Sequence, residues 1–387
     1  MEEKTVLVAA CNHYTSPYQV GSQQIARTFR KLGWKVIYIS EPVSLLHLLS
    51  MSSERKLIIE RFKIALSKGK LSSEGISYGL PFAFLSPKNF PFLRNKIVFR
   101  NWYKILFSNY IKRVKEKTDN YVDVLYIDSV IQGFWMNEIG YDKLVFRVAD
   151  NNRAYGHDYS AYREQEEEIA KKADLTLYTS ENLSDYTTLI NAENPFYFPN
   201  GVEYNLFERD NNPEPDDLRK IPHPRVVYIG DTQLRFDKEL IKYAAEKLQK
   251  FSFVIIGNKK GLHNYFGSLP NIHLLGYKNY FSLSVYLQNC DVGIICFKTG
   301  ENTELIKYAN PIKLYQYFAA GLPVISSNWE GIRKLNPPAY FYNNKEEFVN
   351  LLKQTISKKK NSKEFKNYAA SVAWENKISN LIKELGF

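Results

Sequence analysis

Short apolar runs alternate with helical segments along the chain, and this alternation limits its possible folds more than any other feature. Runs rich in β-branched residues are found at 5–11, 35–40, 123–129, 143–150 and 175–180. Amphipathic stretches such as 19–32 and 159–173 lie between them. Strands that are apolar on both faces and separated by helices form parallel sheets with helices on both sides. The first half of the chain is therefore predicted to be an α/β domain with a doubly wound sheet.

The same pattern starts again after a polar, proline-rich segment at 210–224, which has the composition of a linker. Further apolar runs follow at 225–230, 252–257, 272–276, 292–297 and 323–327. We therefore predict two doubly wound domains, 1–208 and 209–370, followed by an amphipathic helix at 371–387. Such sheets bind ligands at the carboxyl ends of their strands, and with two domains the expected place is the cleft between them.

The composition is that of a folded protein with a basic excess. Of the 387 residues, 44% are hydrophobic and 24% are charged, and the formal net charge is +11. This charge favours anionic partners: nucleic acid, an acidic membrane or phosphorylated ligands. Cys11, Cys290 and Cys296 have no metal-ligand spacing, and their odd number indicates a reducing compartment. No segment reaches the roughly 18–20 apolar residues of a membrane span or has the form of a signal peptide, so we expect a cytoplasmic protein, soluble or peripheral.

The segment 310–324 has the strongest functional pattern. Pro311 can open a helix, and Lys313 and Gln316 are three residues apart, so they share one face near its start. Gly321 is placed to end the helix. A helix N-terminus binds phosphate through its free N–H groups, Lys313 would add a charge for a diphosphate, and Gln316 could bind ribose hydroxyls. An ordinary, well-capped surface helix explains the same residues equally well.

A family resemblance favours the functional interpretation. The segment from Lys313, Lys-x-x-Gln-Tyr-Phe-Ala-Ala-Gly-Leu-Pro-Val-Ile, resembles the nucleotide-sugar helix of GT-B glycosyltransferases, which usually carry Glu where Gln316 stands. Phe198-Pro-Asn-Gly-Val202 is similar to the turn that ends their N-terminal domain, and Trp374-Glu375 is similar to their returning helix. The resemblance implies two Rossmann-like domains facing a central cleft. The acceptor domain would be 1–208, with 371–387 crossing back onto it, and the nucleotide-sugar domain would be 209–370.

Three features resemble the GumK-like glucuronosyltransferase branch of that family. They are Gln316 itself, the segment Leu-Val-Phe-Arg-Val-Ala-Asp at 144–150, and His13-Tyr14 followed by Ser16-Pro17. The resemblance makes Asp150 the catalytic base and UDP-glucuronate a candidate donor. Two departures, Tyr277 in place of an acidic residue and Lys298 at or beside a family tyrosine, leave the donor sugar open.

Asp150 is also a reasonable base on its own terms, because it ends a predicted strand where a loop would enter a cleft. A turn or helix-capping aspartate is the alternative interpretation. His13, which we also include among the catalytic candidates, His157 and Asp128 are rival bases.

The remaining donor-site candidates follow predicted strands or surround the 310–324 helix. Glycine after a strand lets the backbone approach a phosphate or sugar, and the polar loop at 297–304 could hold the donor. These candidates are Gly230, Asp231, Thr232, Gly257, Lys298, Thr299, Glu301, Asn302, Pro311 and Ile312.

The segment 94–117 combines eight basic residues with aromatic residues at helical spacing. One interpretation is a basic amphipathic helix that meets an anionic membrane and a lipid-diphosphate acceptor, with Arg100, Trp102, Tyr103 and Lys104 in contact. The other is an ordinary helix with a buried aromatic stripe and solvated charges.

We therefore expect an enzyme that transfers a sugar from a nucleoside-diphosphate donor, UDP-linked in the first instance, to a lipid-linked or growing saccharide of the cell surface. Inversion with Asp150 as base is the predicted course. No metal or other cofactor is expected, because no Asp-x-Asp motif lies in a suitable loop. A retaining GT-B hexosyltransferase that uses another UDP- or GDP-sugar is the alternative. An NAD-binding oxidoreductase lacks a Gly-x-Gly-x-x-Gly turn, and a non-catalytic nucleic-acid-binding protein lacks any supporting motif.

Overall fold

The computed structural model describes residues 3–44, 47, 55–67, 69–84, 94–107, 109–208, 213–267, 269–300, 303–358 and 361–387. The chain divides into two compact units. Unit 1 comprises Met1–Pro199 with Ile378–Phe387, and unit 2 comprises Asn200–Lys377. The boundary between the two units lies between residues 199 and 200. The domain bounds predicted from the sequence, 1–208 and 209–370, stay a prediction.

Unit 1 is built on an eight-stranded sheet with the strand order β10-β9-β8-β7-β1-β2-β4-β3. Neighbouring strands run parallel, except that β3 is antiparallel to β4. A small second sheet pairs β5 with β6. The strands are β1 Thr5–Ala10, β2 Lys35–Ser40, β3 Lys70–Leu71, β4 Ser77–Gly79, β5 Phe82–Ala83, β6 Leu106–Phe107, β7 Tyr121–Ile127, β8 Gly140–Val148, β9 Leu175–Tyr178 and β10 Pro195–Tyr197.

The described helices of unit 1 connect these strands. The α-helices are α1 Gly21–Lys31, α2 Arg55–Leu66, α3 Lys96–Asn101, α4 Tyr110–Lys117, α5 Trp135–Glu138, α6 Ser160–Lys172 and α7 Ser184–Leu189. Short 3₁₀ helices cover Trp102–Ile105, Val130–Gln132, Asn152–Tyr155 and Glu181–Leu183.

Unit 2 has a six-stranded, fully parallel sheet with the order β13-β12-β11-β14-β15-β16. Its strands are β11 Arg225–Gly230, β12 Ser252–Gly257, β13 Ile272–Leu274, β14 Val292–Ile295, β15 Val324–Ser327 and β16 Tyr340–Tyr342. Its described helices are α8 Tyr204–Phe207, α9 Asp216–Arg219, α10 Lys238–Lys247, α11 Leu262–Phe266, α12 Leu283–Gln288, α13 Thr303–Lys307, α14 Ile312–Ala319, α15 Glu330–Lys334, α16 Lys345–Ser357 and α17 Ser362–Ser371, with a 3₁₀ turn at Tyr280–Ser282. Helix α18, Trp374–Glu384, begins in unit 2 and ends in unit 1.

The predicted α/β class with two doubly wound sheets is confirmed. Central strands such as β1 and β12 are almost completely buried, which explains their continuous apolar runs. Each of the two large sheets has a point at which successive parallel strands begin to be added on the other side of its first strand. In unit 1 this point lies between β1 and β7, and in unit 2 it lies between β11 and β14. Ligands bind beyond the carboxyl ends of the strands at such points.

The segment 94–117 differs from the predicted amphipathic helix. Two short helices, α3 and α4, are separated by a 3₁₀ turn and by β6, whose backbone pairs with β5. Trp102 is buried, packs edge-on against Phe134 and donates its indole N–H to the carbonyl of Ile131 at 3.2 Å. The prediction that Trp102 faces an acceptor or a membrane is therefore wrong, because sheet pairing and core packing use this segment.

The neighbours of Trp102 lie nearer to solvent. Tyr103 is half-buried and stacks on Phe134 at a centroid distance of 4.3 Å, whereas Arg100 and Lys104 are exposed. Within the part of the chain that the structure describes, no helix is long and apolar enough to cross a membrane.

Candidate donor and base sites

Hydrogen bonds fix the residues that directly precede helix α14. Pro311 is its N-cap, so the helix begins at Ile312, one residue later than the sequence predicted. The side chain of Asn310 accepts a hydrogen bond from the Tyr315 hydroxyl at 2.7 Å. The backbone carbonyl of Asn310 accepts another from the Asn200 side chain, also at 2.7 Å. These bonds fix the direction in which the free N–H groups of the first turn point.

The end of α14 is the glycine stop that the sequence predicted. Gly321 adopts a left-handed φ of 74°, which a residue with a side chain rarely tolerates. Its N–H bonds the carbonyl of Phe318 at 2.9 Å, and the N–H of Leu322 bonds that of Tyr317 at 2.9 Å. This is the Schellman pattern, and it satisfies two of the carbonyls that a helix end leaves free.

Tyr317 joins α14 to the sheet. Its hydroxyl accepts a hydrogen bond from the N–H of Ile229 in β11 at 2.9 Å and donates to the carbonyl of Ile294 in β14 at 3.3 Å. A Cβ at Gly293 would lie 2.6 Å from the tyrosine ring, so only glycine leaves room for it. The helix is therefore anchored across the two strands that flank the reversal point of unit 2.

Lys313 lies at this reversal point. Its ammonium is 3.9 Å from the centroid of the Tyr228 ring and 5.2 Å from that of Phe297. A Cβ on Gly230, at the carboxyl end of β11, would be only 2.8 Å from the same nitrogen. The missing side chain of Gly230 therefore creates the space that the ammonium occupies.

The electrostatic surroundings leave this ammonium ready for an anion. Burial, aided by the nearby charge of Arg235, lowers the pKa of Lys313 to about 7, while Cys296 and Asp231 act in the opposite direction. Among the described residues, no carboxylate forms an ion pair with Lys313. A partly buried ammonium with aromatic neighbours and no acidic partner gains most from a bound phosphate.

Arg235 is a second cation at this place that the sequence analysis missed. Its guanidinium carbon lies 5.9 Å from the centroid of the Phe297 ring, and its carbonyl accepts a bond from the N–H of Lys298 at 2.9 Å. The available signal was a basic residue in the loop after the first strand of the second sheet. Aromatic contact with Phe297 could not be predicted, because the two residues are far apart in sequence.

The turns after β11 and β12 are bonded to each other. Thr232 is buried, and its hydroxyl donates to the carbonyl of Asn258 at 2.7 Å, so it holds the two turns together. Asp231 is exposed, and its carbonyl accepts a bond from the Tyr228 hydroxyl at 2.5 Å. The N–H of Gly257 bonds the carbonyl of Gly276 at 3.1 Å, which aligns the ends of β12 and β13.

The remaining donor-site candidates lie on the same sheet edge or on α14. Lys298 is half-buried and Thr299 exposed, directly after β14. Pro311 is buried and Gln316 is 5% exposed, whereas Ile312 is half-buried. Glu301 and Asn302 lie outside the described residues.

In unit 1, Asp150 is half-buried and follows β8 at the carboxyl edge of the sheet. Its rival Asp128 lies at the end of β7 and is engaged in a buried ion pair with Arg147, with an N–O distance of 2.9 Å. The Ser22 hydroxyl donates a further bond to Asp128. A carboxylate held by two internal partners is poorly placed to accept a substrate proton, which weakens the case for Asp128.

The histidine candidates are weak bases. His13 is 6% exposed, and burial, together with the charge of Arg61, lowers its pKa to about 3. Its Nδ1 lies 3.0 Å from the Thr15 hydroxyl. His157 stacks on Tyr162, and burial likewise lowers its pKa. Neutral imidazoles with low pKa values accept a proton poorly near pH 7.

Comparison with known structures confirms the fold. Sucrose-phosphate synthase from Thermosynechococcus elongatus superposes with a TM-score of 0.67 at 14% identity, with 99% of each chain covered. HepE of Anabaena, solved in complex with UDP and glucose, gives a TM-score of 0.63 at 13% identity over 98% of this chain and 100% of HepE. The chain therefore has the GT-B fold.

Family models identify each half of the chain. Residues 7–179 match the N-terminal domain of glucuronosyltransferase GumK, and residues 226–372 match the glycosyl transferases group 1 family. These two domain matches, in this order on a GT-B fold, support a GumK-like glycosyltransferase. A relative in Bacillus subtilis (strain 168), the teichuronic acid biosynthesis glycosyltransferase TuaH, is 30% identical over 151 residues. That alignment covers 37% of this chain and 36% of TuaH, so the chain spans about a third of this relative.

Proposed function

We propose that the protein transfers a sugar from a UDP-linked donor to a lipid-linked or growing saccharide of a cell-surface polysaccharide. The observation that carries this proposal is the Lys313 ammonium beside Gly230, which meets no described carboxylate at the reversal point of unit 2. A diphosphate at this place would be bound by Lys313 and by the N–H groups that begin α14. The UDP bound to HepE and the teichuronic acid assignment of TuaH support the nucleotide and the class of product.

The proposed reaction is an inverting displacement. The acceptor hydroxyl oxygen bonds to the anomeric carbon while the bond from that carbon to the diphosphate oxygen breaks. The hydroxyl proton passes to Asp150, and UDP leaves with its charge stabilised by Lys313 and the α14 N-terminus. UDP-glucuronate is the first donor to test, because the N-terminal match is to a glucuronosyltransferase family.

Donor binding tests the first half of the proposal. We expect UDP to raise the melting temperature of the protein and to bind with a measurable Kd in calorimetry, whereas Lys313→Met loses most of that affinity. Lys345→Met is the matched control, because the Lys345 ammonium also lies over a tyrosine, 4.6 Å from the centroid of Tyr243. The proposal fails if UDP, GDP and their sugars all leave the protein unaffected.

Asp150→Asn tests the base. A general base contributes on the order of 10²–10⁴-fold to rate, so we expect a loss of kcat of that size with UDP affinity unchanged. Proton NMR of the product gives the anomeric configuration and separates inversion from retention. Full activity of Asp150→Asn would overturn the assignment.

The absence of a metal requirement stays a prediction. Lys313 and the helix N-terminus supply positive charge of the kind that a divalent cation would otherwise provide. We expect transfer rates to be the same in EDTA and in Mg²⁺. A strict requirement for added cation would show that these groups are insufficient.

Peripheral contact with an anionic membrane is also part of the proposal. It is supported by the net charge of +11 and by the exposed cations Arg100 and Lys104, of which Arg100 lies 3.5 Å from Glu164. We expect cosedimentation with phosphatidylglycerol vesicles that weakens with salt and with the double substitution Arg100→Glu, Lys104→Glu. Equal binding to neutral phosphatidylcholine vesicles would contradict an electrostatic contact.

A further inference from the structure

A buried carboxylate lies next to the loop that carries Asp150. Glu166, in α6, has no exposed surface. Its Oε1 accepts a hydrogen bond from the Asn152 side chain at 2.8 Å, and its Oε2 accepts one from the Tyr186 hydroxyl at 2.8 Å. Burial raises the pKa of Glu166, while the bonds from Asn152 and Tyr186 act in the opposite direction.

The loop bonded by Glu166 is short and internally ordered. The Asn151 side chain accepts bonds from the N–H groups of Arg153 and Ala154, at 3.1 and 3.3 Å, which caps the 3₁₀ helix Asn152–Tyr155. Gly156 closes this helix with a left-handed φ of 83°. A displacement of Asn152 would therefore move the whole turn that follows Asp150.

A second anchor lies on the other side of Asp150. The Thr179 hydroxyl, just after β9, donates to the carbonyl of Ala149 at 2.8 Å, and the Thr179 N–H bonds the carbonyl of Val148 at 3.3 Å. Asp150 is therefore held between two fixed points, Ala149 on one side and Asn152 on the other. Of these two anchors, only the one at Asn152 depends on a buried carboxylate, that of Glu166.

A purely packing role explains Glu166 poorly. Burying a carboxylate costs several kcal/mol, and an apolar side chain of similar size would avoid that cost. The carboxylate gains hydrogen bonds from a loop residue and from α7, and these directional bonds fix position more sharply than apolar contact does.

We propose that Glu166 is a positioning residue for Asp150, acting through Asn152 to hold the carboxylate of Asp150 in its productive place. This inference rests on the proposed role of Asp150 as base. Misplacement of a reacting group by about 1 Å can cost on the order of 10²-fold in rate, so the anchor bears directly on kcat.

The test begins with Glu166→Gln and Glu166→Ala in the full chain, assayed for transfer and for UDP binding. We expect kcat to fall by about tenfold for Gln and on the order of 10²-fold for Ala, with the donor KM and the UDP Kd unchanged. The glutamine variant keeps more activity because its amide oxygen can still accept the bond from Asn152. If Glu166→Ala does not fold, kcat and UDP binding are measured in Glu166→Gln and Asn152→Ala instead.

Asp174→Asn is the matched control. The Asp174 carboxylate also bonds β8, accepting from the Leu144 N–H at 2.8 Å and from Lys143 at 3.3 Å, but in the middle of that strand and not at its carboxyl end. We expect a lowered melting temperature with unchanged kcat. An equal loss of kcat in this control would reduce Glu166 to a general stabilising residue and overturn the inference.

A double-substitution cycle separates this inference from the proposed function. If Glu166 acts through Asp150, Glu166→Gln should cost nothing further in an Asp150→Asn background. Additive losses, or an unchanged kcat in Glu166→Gln, would overturn the positioning role while the base assignment stands. Full activity of Asp150→Asn alone would instead overturn the base assignment.

Discussion

The charged side chains at the reversal points of the two large sheets differ in whether they have an ion-pair partner. In unit 1, the Asp128 carboxylate lies between β1 and β7 and is matched by Arg147 and by the Ser22 hydroxyl. In unit 2, the Lys313 ammonium lies between β11 and β14 with aromatic rings beside it and no described carboxylate paired with it. The same fold topology therefore holds an ion pair in one unit and, in the other, a cation that has no ion-pair partner among the described residues.

This difference indicates that the two reversal points have different roles. A partly buried cation without an ion-pair partner lowers the stability of the free protein. A bound anion offsets that cost. A matched pair keeps the edge of the sheet near neutral without a ligand. The comparison predicts that substitutions in the two places will have opposite effects on stability.

Asp128→Asn should produce the largest change in stability. Removing Asp128 takes from Arg147 its buried ion-pair partner and should cost about 3–5 kcal/mol in the free energy of unfolding. Chemical denaturation with urea measures this directly. A loss below about 1 kcal/mol, the range of exposed ion pairs, would show that the pair is solvated and that the contrast is false.

Lys313→Met should do the reverse. We expect UDP affinity to fall about 10- to 100-fold, since hydrogen bonds to charged groups contribute about 1.5–3 kcal/mol. The unliganded variant should unfold at the same temperature as the wild type or higher, because a buried charge has been removed. A lowered melting temperature together with unchanged UDP affinity would mean that Lys313 is structural.

Gly230→Ala tests whether UDP binding needs the space beside the Lys313 ammonium. The added Cβ would lie 2.8 Å from the Lys313 nitrogen, so we expect UDP affinity to fall by up to about tenfold through displacement of the cation. Gly261→Ala is the control, because Gly261 also has a positive φ, 75° against 125° at Gly230, but open space around its Cβ. Both should lose about 1 kcal/mol of stability or more, and calorimetry should show weaker UDP binding only for Gly230→Ala.

The pH dependence of UDP binding should give the smallest effect. The pKa of Lys313 is lowered to about 7 in the free protein, so the ammonium is lost as the pH rises through 7. A bound diphosphate stabilises the charged form, so we expect binding to take up a proton above pH 7 and UDP affinity to weaken severalfold toward pH 9.

The same pKa has a consequence for stability with the opposite sign. A free lysine titrates near 10.4, so between pH 7 and 10 the unfolded chain binds more protons at this site than the folded one. The contribution of Lys313 therefore destabilises the free protein at neutral pH, and this cost diminishes as the pH rises. Lys313→Arg should abolish both pH effects, and an unchanged pH profile in that variant would exclude Lys313 as their source.

Some of the site could be read from local sequence. The strands were predictable because buried parallel strands are continuous apolar runs, and α14 was predictable because its glycine stop is a local feature. Lys313 and Gln316 could be placed on one helix face for the same reason. The position of Lys313 against Gly230 required the sheet, since β11 and α14 are distant in sequence.

Other features depended entirely on tertiary contacts. The aromatic spacing at 94–117 predicted a single helix, yet β6 pairs with β5 there and Trp102 fills the core against Phe134. Glu166 gave no local signal, and Arg235 was visible only as a basic residue in a loop, because each contacts its partner in another element. The bond between Arg147 and Asp128, which weakens Asp128 as a rival base, joins β8 to the end of β7.

By itself, the sequence determined the class of fold, the two parallel sheets and the position of helix α14, because these follow from apolar periodicity and from helix-end chemistry within a few residues. The tertiary structure decided which charges are matched and which remain available to a ligand. Electrostatic compensation depends on distances of a few ångströms between residues far apart in the chain, and the order of residues does not contain those distances explicitly.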